Sequence, residues 1–184
     1  MRADAQRNYA RLLAVAEQAV ATQGADASLE QIGRTAGVGS GTVRRHFPTR
    51  RALLEAVFRD KVEALCDQAR DLGAASDARA ALLEWLGAVM ASAATFRGLA
   101  VALLQDQSPP EAHCSTGRLT EAGAPLVRHA ADDGVLTPGV TITDLLTLIT
   151  GIALATEGRP DAAAEADRLL TLTMAGLSPL PAAA

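Results

Sequence analysis

Two stretches of this chain carry side chains that could do chemistry. Between Ser40 and Arg51, four guanidinium groups, three hydroxyls and one imidazole fall within twelve residues. A guanidinium can hold a phosphate bidentately or meet the O6/N7 edge of guanine, and a threonine offers a hydroxyl and a methyl to a phosphate or a thymine. The second stretch joins His113 to Cys114, with Arg118 nearby and His129 further on. A thiol nucleophile needs a base oriented by a third group, whereas adjacent residues of a helix point about 100° apart. No catalytic residue is assigned on this basis, and a small helical Cys/His enzyme is kept only as the lesser alternative.

The charge distribution favours the first stretch. Net charge is −4 overall. Residues 1–51 nevertheless carry eight arginines against four acids, or +4, while the remainder carries nine bases and seventeen acids, or −8. One end of the chain is thus suited to a polyanion and the other is not. The two cysteines, Cys66 and Cys114, have no CxxC or CxxH spacing, which argues for free thiols in a reducing cytoplasm and against a metal site or a disulfide framework. No cofactor motif is present. The first residues lack an apolar signal-type segment, and the most apolar later run, Ile142 to Ala155, is short and interrupted by Asp144, Thr147 and Thr150. A cytoplasmic protein with no membrane partner is expected.

These groups must be positioned by helices. The composition is 49% apolar with only 3% aromatic residues, so Leu, Ala, Val and Ile must build the core. Apolar residues recur at helical spacing throughout, and no sustained period-2 run of strand type occurs. Tyr9, Leu12, Leu13, Ala16 and Val20 form a first stripe ending near Gly24. Ser28 and Gln31 open a second helix, which Gly37 stops, and a third runs from Ser40 to His46. Thr49 caps a long fourth helix reaching about Leu72. Beyond it, expected helices start at Ser76, at Gly98, at Ser108-Pro109, at Thr141 with Asp144, and at Asp161, giving about nine in all. The spacing predicts an all-α protein: a three-helix head over residues 1–48, a larger helical domain over 49–178 and a disordered tail over 179–184.

Two short helices separated by the tight Gly37-Val38 turn make a helix-turn-helix, whose second helix can enter the major groove. The string from Ser28 to Leu54, with Gly41, Thr42, the His46-Phe47 pair and basic Arg50 opening the fourth helix, resembles the signature of the TetR family of transcriptional regulators. The resemblance spans roughly residues 7–66. It implies a homodimer that grips palindromic double-stranded operator DNA and is released as a repressor by a small-molecule effector. An effector-independent DNA-binding regulator is the other reading.

The resemblance implies DNA contacts from Ser28, Ser40, Gly41, Thr42, Arg44, Arg45, His46 and Arg50. Ser28 could equally be a plain N-cap, and His46 is partly a packing residue. Arg44 stands where the family usually has tyrosine, leaving both phosphate contact and base readout open. A loose likeness of Leu119–Leu126 to family members further implies that the last two helices pair with their twins. There Leu148, Ile149, Gly151, Ile152, Ala153, Ala155, Leu169, Leu172 and Gly176 offer apolar and small surface. For the effector, Trp85, Met90, Phe96, His113, Cys114 and Arg118 are the candidate ligand-binding residues, each of which could also be ordinary packing or surface.

Overall fold

The computed structural model describes residues 2–23, 27–105 and 111–179, with side chains given for 4–23, 27–94 and 117–179. Eight helices and no strand occur among them: α1 (Arg2–Gln23), α2 (Leu29–Thr35), α3 (Ser40–His46), α4 (Arg50–Leu72), α5 (Ala78–Gln105), α6 (Glu111–Asp132), α7 (Ile142–Thr156) and α8 (Ala162–Gly176). Residues Met1–Lys61 with Thr95–Pro110 form one compact unit, and Val62–Ala94 with Glu111–Ala184 form a second.

In the first unit, the α1 stripe of Leu12, Leu13, Ala16 and Val20 is buried together with Ile32, Val43, Phe47, Leu53, Leu54 and Val57. Local chemistry sets the helix ends. The Ser28 hydroxyl accepts from the Gln31 N–H at 3.4 Å, and Thr49 Oγ1 accepts from the Ala52 N–H at 3.1 Å. Gly37 takes φ +64°, a conformation that costs glycine little, so that the Val38 N–H can donate to the Gly33 carbonyl at 2.9 Å and close the turn.

In the second unit the core gathers Leu82, Trp85, Leu86, Met90, Leu126, Ala130, Leu136, Leu145, Ile149, Leu170 and Met174. Trp85 is fully buried, and its indole N–H donates to the Leu65 carbonyl at 2.9 Å. Gly123 lets α6 approach that ring, because a Cβ there would stand 2.4 Å from Trp85 Cη2. A reciprocal capping box opens α7: Asp144 N–H donates to Thr141 Oγ1, while the Thr141 N–H donates to Asp144 Oδ2 at 2.9 Å.

Two details differ from the sequence expectation. The break expected near Gly98 is absent, and α5 continues to Gln105, so two expected helices are one. Each interior glycine costs a helix only about 1 kcal/mol, too little to end it. Asp77, not Ser76, caps α5, its Oδ1 accepting from the Ala80 N–H at 2.9 Å. The last helix opens as expected at Asp161, its N-cap, without a side-chain capping bond among the described residues. Gly24, the Ser108-Pro109 start and tail residues 180–184 lie outside the described residues.

Candidate nucleic-acid interface

The two faces of α3 differ sharply. Val43 and Phe47, four residues apart, are buried against the first-unit core, whereas Ser40, Gly41, Arg44 and Arg45 are exposed and Thr42 is half-buried. A helix of seven residues is held mainly by its apolar edge. Apart from half-buried Thr42 and His46, its other residues are offered outward. A Cβ added at Gly39 or Gly41 would meet nothing within 4 Å, so internal packing does not require glycine at either position.

His46 turns the other way. Its ring lies 5.5 Å from that of Tyr9 and 6.3 Å from that of Phe47, with Tyr9 and Phe47 stacked at 5.5 Å. This half-buried imidazole therefore braces the end of α3 against α1.

An open cleft of about 730 Å³ runs between α2, α3 and the start of α4. Ser40 and Arg44 reach it from α3, Thr49 and Arg50 from the beginning of α4, and Glu30 and Arg34 from α2. Three of the expected DNA-contact residues, Ser40, Arg44 and Arg50, thus share one concavity. Thr42, Arg45 and Ser28 do not line it, and Ser28 instead borders a smaller recess between α1 and α2. Glu30 and Arg34 were not among the expected residues. The only sequence signal for them is their i, i+4 spacing, which the structure realises as an ion pair of 3.1 Å.

Of the expected effector contacts, Trp85 and Met90 belong to the second-unit core. Arg118 pairs with Glu63 at 3.3 Å, and its backbone carbonyl accepts from the Cys66 thiol at 3.7 Å. Burial pushes the Cys66 thiol up, against the pull of Arg118 and Arg70. A raised pKa leaves that thiol protonated and a poor nucleophile. Phe96, His113 and Cys114 lie outside the described side chains. Among the described residues no three His, Cys, Asp or Glu side chains are placed to hold a metal, and no helix is long and apolar enough to cross a membrane.

Residues 12–57, which contain α2, α3 and the opening of α4, match the family of bacterial regulatory proteins named after tetR. Residues 77–179 match the C-terminal domain of SbtR-like transcriptional regulators. The chain belongs to the TetR family of transcriptional regulators.

Solved structures of TetR regulators agree over almost the whole length. One from Streptomyces coelicolor is 37% identical, with 93% of this chain and 98% of that one covered and a TM-score of 0.80. Another from Mycobacterium vanbaalenii is 32% identical, with 97% and 99% covered and a TM-score of 0.74. A regulator from Saccharomonospora viridis, solved in complex with choline, shares the fold at 20% identity and a TM-score of 0.64, over 90% of this chain and 94% of that one. Comparison with curated proteins finds no match. As in other TetR regulators, the helix-turn-helix of this protein is its DNA-binding element, and α3 is its second helix.

Proposed function

We propose that this TetR regulator is a homodimeric repressor that holds a palindromic operator through α3 and the start of α4, and lets go when a small molecule binds its second unit. The outward face of α3 carries the reading. Ser40, Gly41, Arg44 and Arg45 are exposed on a helix whose Val43, His46 and flanking Phe47 pack inward, beside Arg50 at the start of α4. Arg44 lines the cleft with Arg50 and so favours phosphate contact, while Arg45, away from the cleft, and Thr42 are assigned to base edges. The protein acts by binding, without turnover, in the cytoplasm.

Dimerisation is supported by exposed apolar surface on α7 and α8. Leu148, Leu154 and Leu172 are 40%, 53% and 55% exposed, with Gly151, Ala155 and Gly176 also open. Ile149 and Ala153, expected on the same surface, are buried within the chain, which narrows the candidate interface to the other residues. A two-fold dimer is what reading a palindrome requires.

Release by an effector is supported by the choline held by the Saccharomonospora viridis neighbour, an instance of small-molecule binding on this fold. Because α4 begins in the first unit at Arg50 and ends in the second at Leu72, a ligand that moves its second half can change the separation of the two heads. Half-sites one helical turn apart demand about 34 to 36 Å between recognition helices. A ligand shifts that equilibrium only by its differential affinity for the two states.

The test is selection of bound duplexes from a random pool by the full chain. Enrichment of an inverted repeat is expected. Recovery of no preferred sequence would overturn the reading.

A further inference from the structure

The cleft between α2, α3 and α4 holds one feature that the helix-turn-helix signature does not account for. Its charged lining comprises three cations, Arg34, Arg44 and Arg50, and a single carboxylate, Glu30. A carboxylate facing a polyanion is repelled by it, so its presence on this surface calls for a physical reason. Its partner supplies one. Glu30 Oε1 accepts from Arg34 Nη2 at 3.1 Å one turn along α2, and both side chains are at least three-quarters exposed.

Building on the operator-binding reading above, we infer that the cleft seats a backbone phosphate of DNA on Arg34, and that Glu30 restrains this arginine when no phosphate is present. An exposed i, i+4 pair is weak and exchanges readily with solvent ions. The guanidinium can therefore leave the carboxylate for a phosphate, which offers a bidentate, charge-assisted contact. Hydroxyls complete the seat. Thr49 Oγ1 already accepts from the Ala52 N–H, and its own proton is unused in that bond and can be donated to an anion. Ser40 lines the same cleft from α3. Glu30 then acts as a brake: it lowers the attraction of the empty cleft for any polyanion without touching the bases.

The experiment measures binding of the full chain to its selected operator duplex, and to a scrambled duplex, across a salt series. Each neutralised phosphate contributes about 0.9 to the slope of log affinity against log salt. Arg34→Gln is expected to flatten the slope by about that amount per head, on both duplexes, and Arg34→Lys to restore it. Glu30→Gln is expected to raise affinity for both duplexes alike, by about 1.5- to 5-fold per head, the worth of an exposed pair. Circular dichroism melts confirm that these surface variants fold.

An unchanged slope in Arg34→Gln overturns the inference. So does a change of preferred sequence in Glu30→Gln, which would make the carboxylate a base reader, accepting from cytosine N4. If the wild-type chain itself shows no operator binding, the reading beneath the inference fails; if it binds and only the Arg34 result is negative, that reading stands and the inference falls.

Discussion

Gly33 of α2 and Val43 of α3 are so close that a Cβ on the glycine would stand 2.7 Å from Val43 Cγ2. The valine is buried and β-branched, so it has few rotamers with which to move aside. The crossing of the two helices rests on this contact, and with it the presentation of Arg44 and Arg45. Replacing Gly33 with leucine is expected to cost about 1–3 kcal/mol by overpacking. A lower denaturant midpoint with weaker operator binding would be observed. Unchanged stability would show that α2 and α3 can separate freely.

Gly41 should behave in the opposite way. Nothing lies within 4 Å of a Cβ built on it, and alanine is favoured in helices by up to about 1 kcal/mol. Gly41→Ala is therefore expected to stabilise the protein in thermal melts while weakening operator binding, since on the proposed reading the DNA backbone approaches α3 at this residue. Tighter or equal binding in titrations would show that DNA does not approach α3 at this residue.

Asp144 gives stability a defined acid limb. Hydrogen bonds from the hydroxyl and the backbone N–H of Thr141 hold its carboxyl below the ordinary aspartate range. A group with a lowered folded pKa stabilises the fold above its unfolded value of about 3.9, and that contribution is lost as pH falls through the lower folded value. The gap in denaturant midpoint between wild type and Asp144→Asn should be full near neutrality and shrink below about pH 4. A gap independent of pH would mean that the capping box does not depend on the ionised carboxylate.

Leu172 and Leu148 are exposed on α8 and α7 rather than part of the second-unit core. Leu172→Glu is therefore expected to leave helicity intact while shifting the mass in light scattering from dimer toward monomer. The larger Gly151→Leu should also loosen the dimer, since small residues permit close helix approach. A wild-type monomer at micromolar concentration would contradict the assembly.

Much of this was legible in the residues themselves. Ser28, Thr49 and the Thr141–Asp144 pair announce helix starts because their side chains can cap only in that role, and Gly37 marks the turn because its backbone needs φ above zero. The outward face of α3 follows from the four-residue spacing of Val43 and Phe47. What stayed hidden depends on how helices cross. Glu30 and Arg34 line the cleft only because α2 meets α3 at Gly33, a relationship that the period of one helix does not encode. For Trp85 the core role was one of the readings its sequence offered; that Gly123, distant in sequence, makes room for its ring was not. The continuity of α5 past Gly98 shows that a glycine without a proline is a weak stop.

The central claim is that an outward α3, presented in pairs, reads DNA. Sedimentation of the full chain with its selected duplex, repeated with Arg45→Ala and Arg50→Ala, tests it most directly. Two chains per inverted repeat are expected, with half-sites about 10 base pairs apart or a multiple of that. Arg45→Ala should lose discrimination between operator and scrambled duplex, while Arg50→Ala should weaken both alike and flatten the salt dependence by about one unit per head. A single chain per duplex, or wild-type affinity and salt dependence in both variants, would contradict the account.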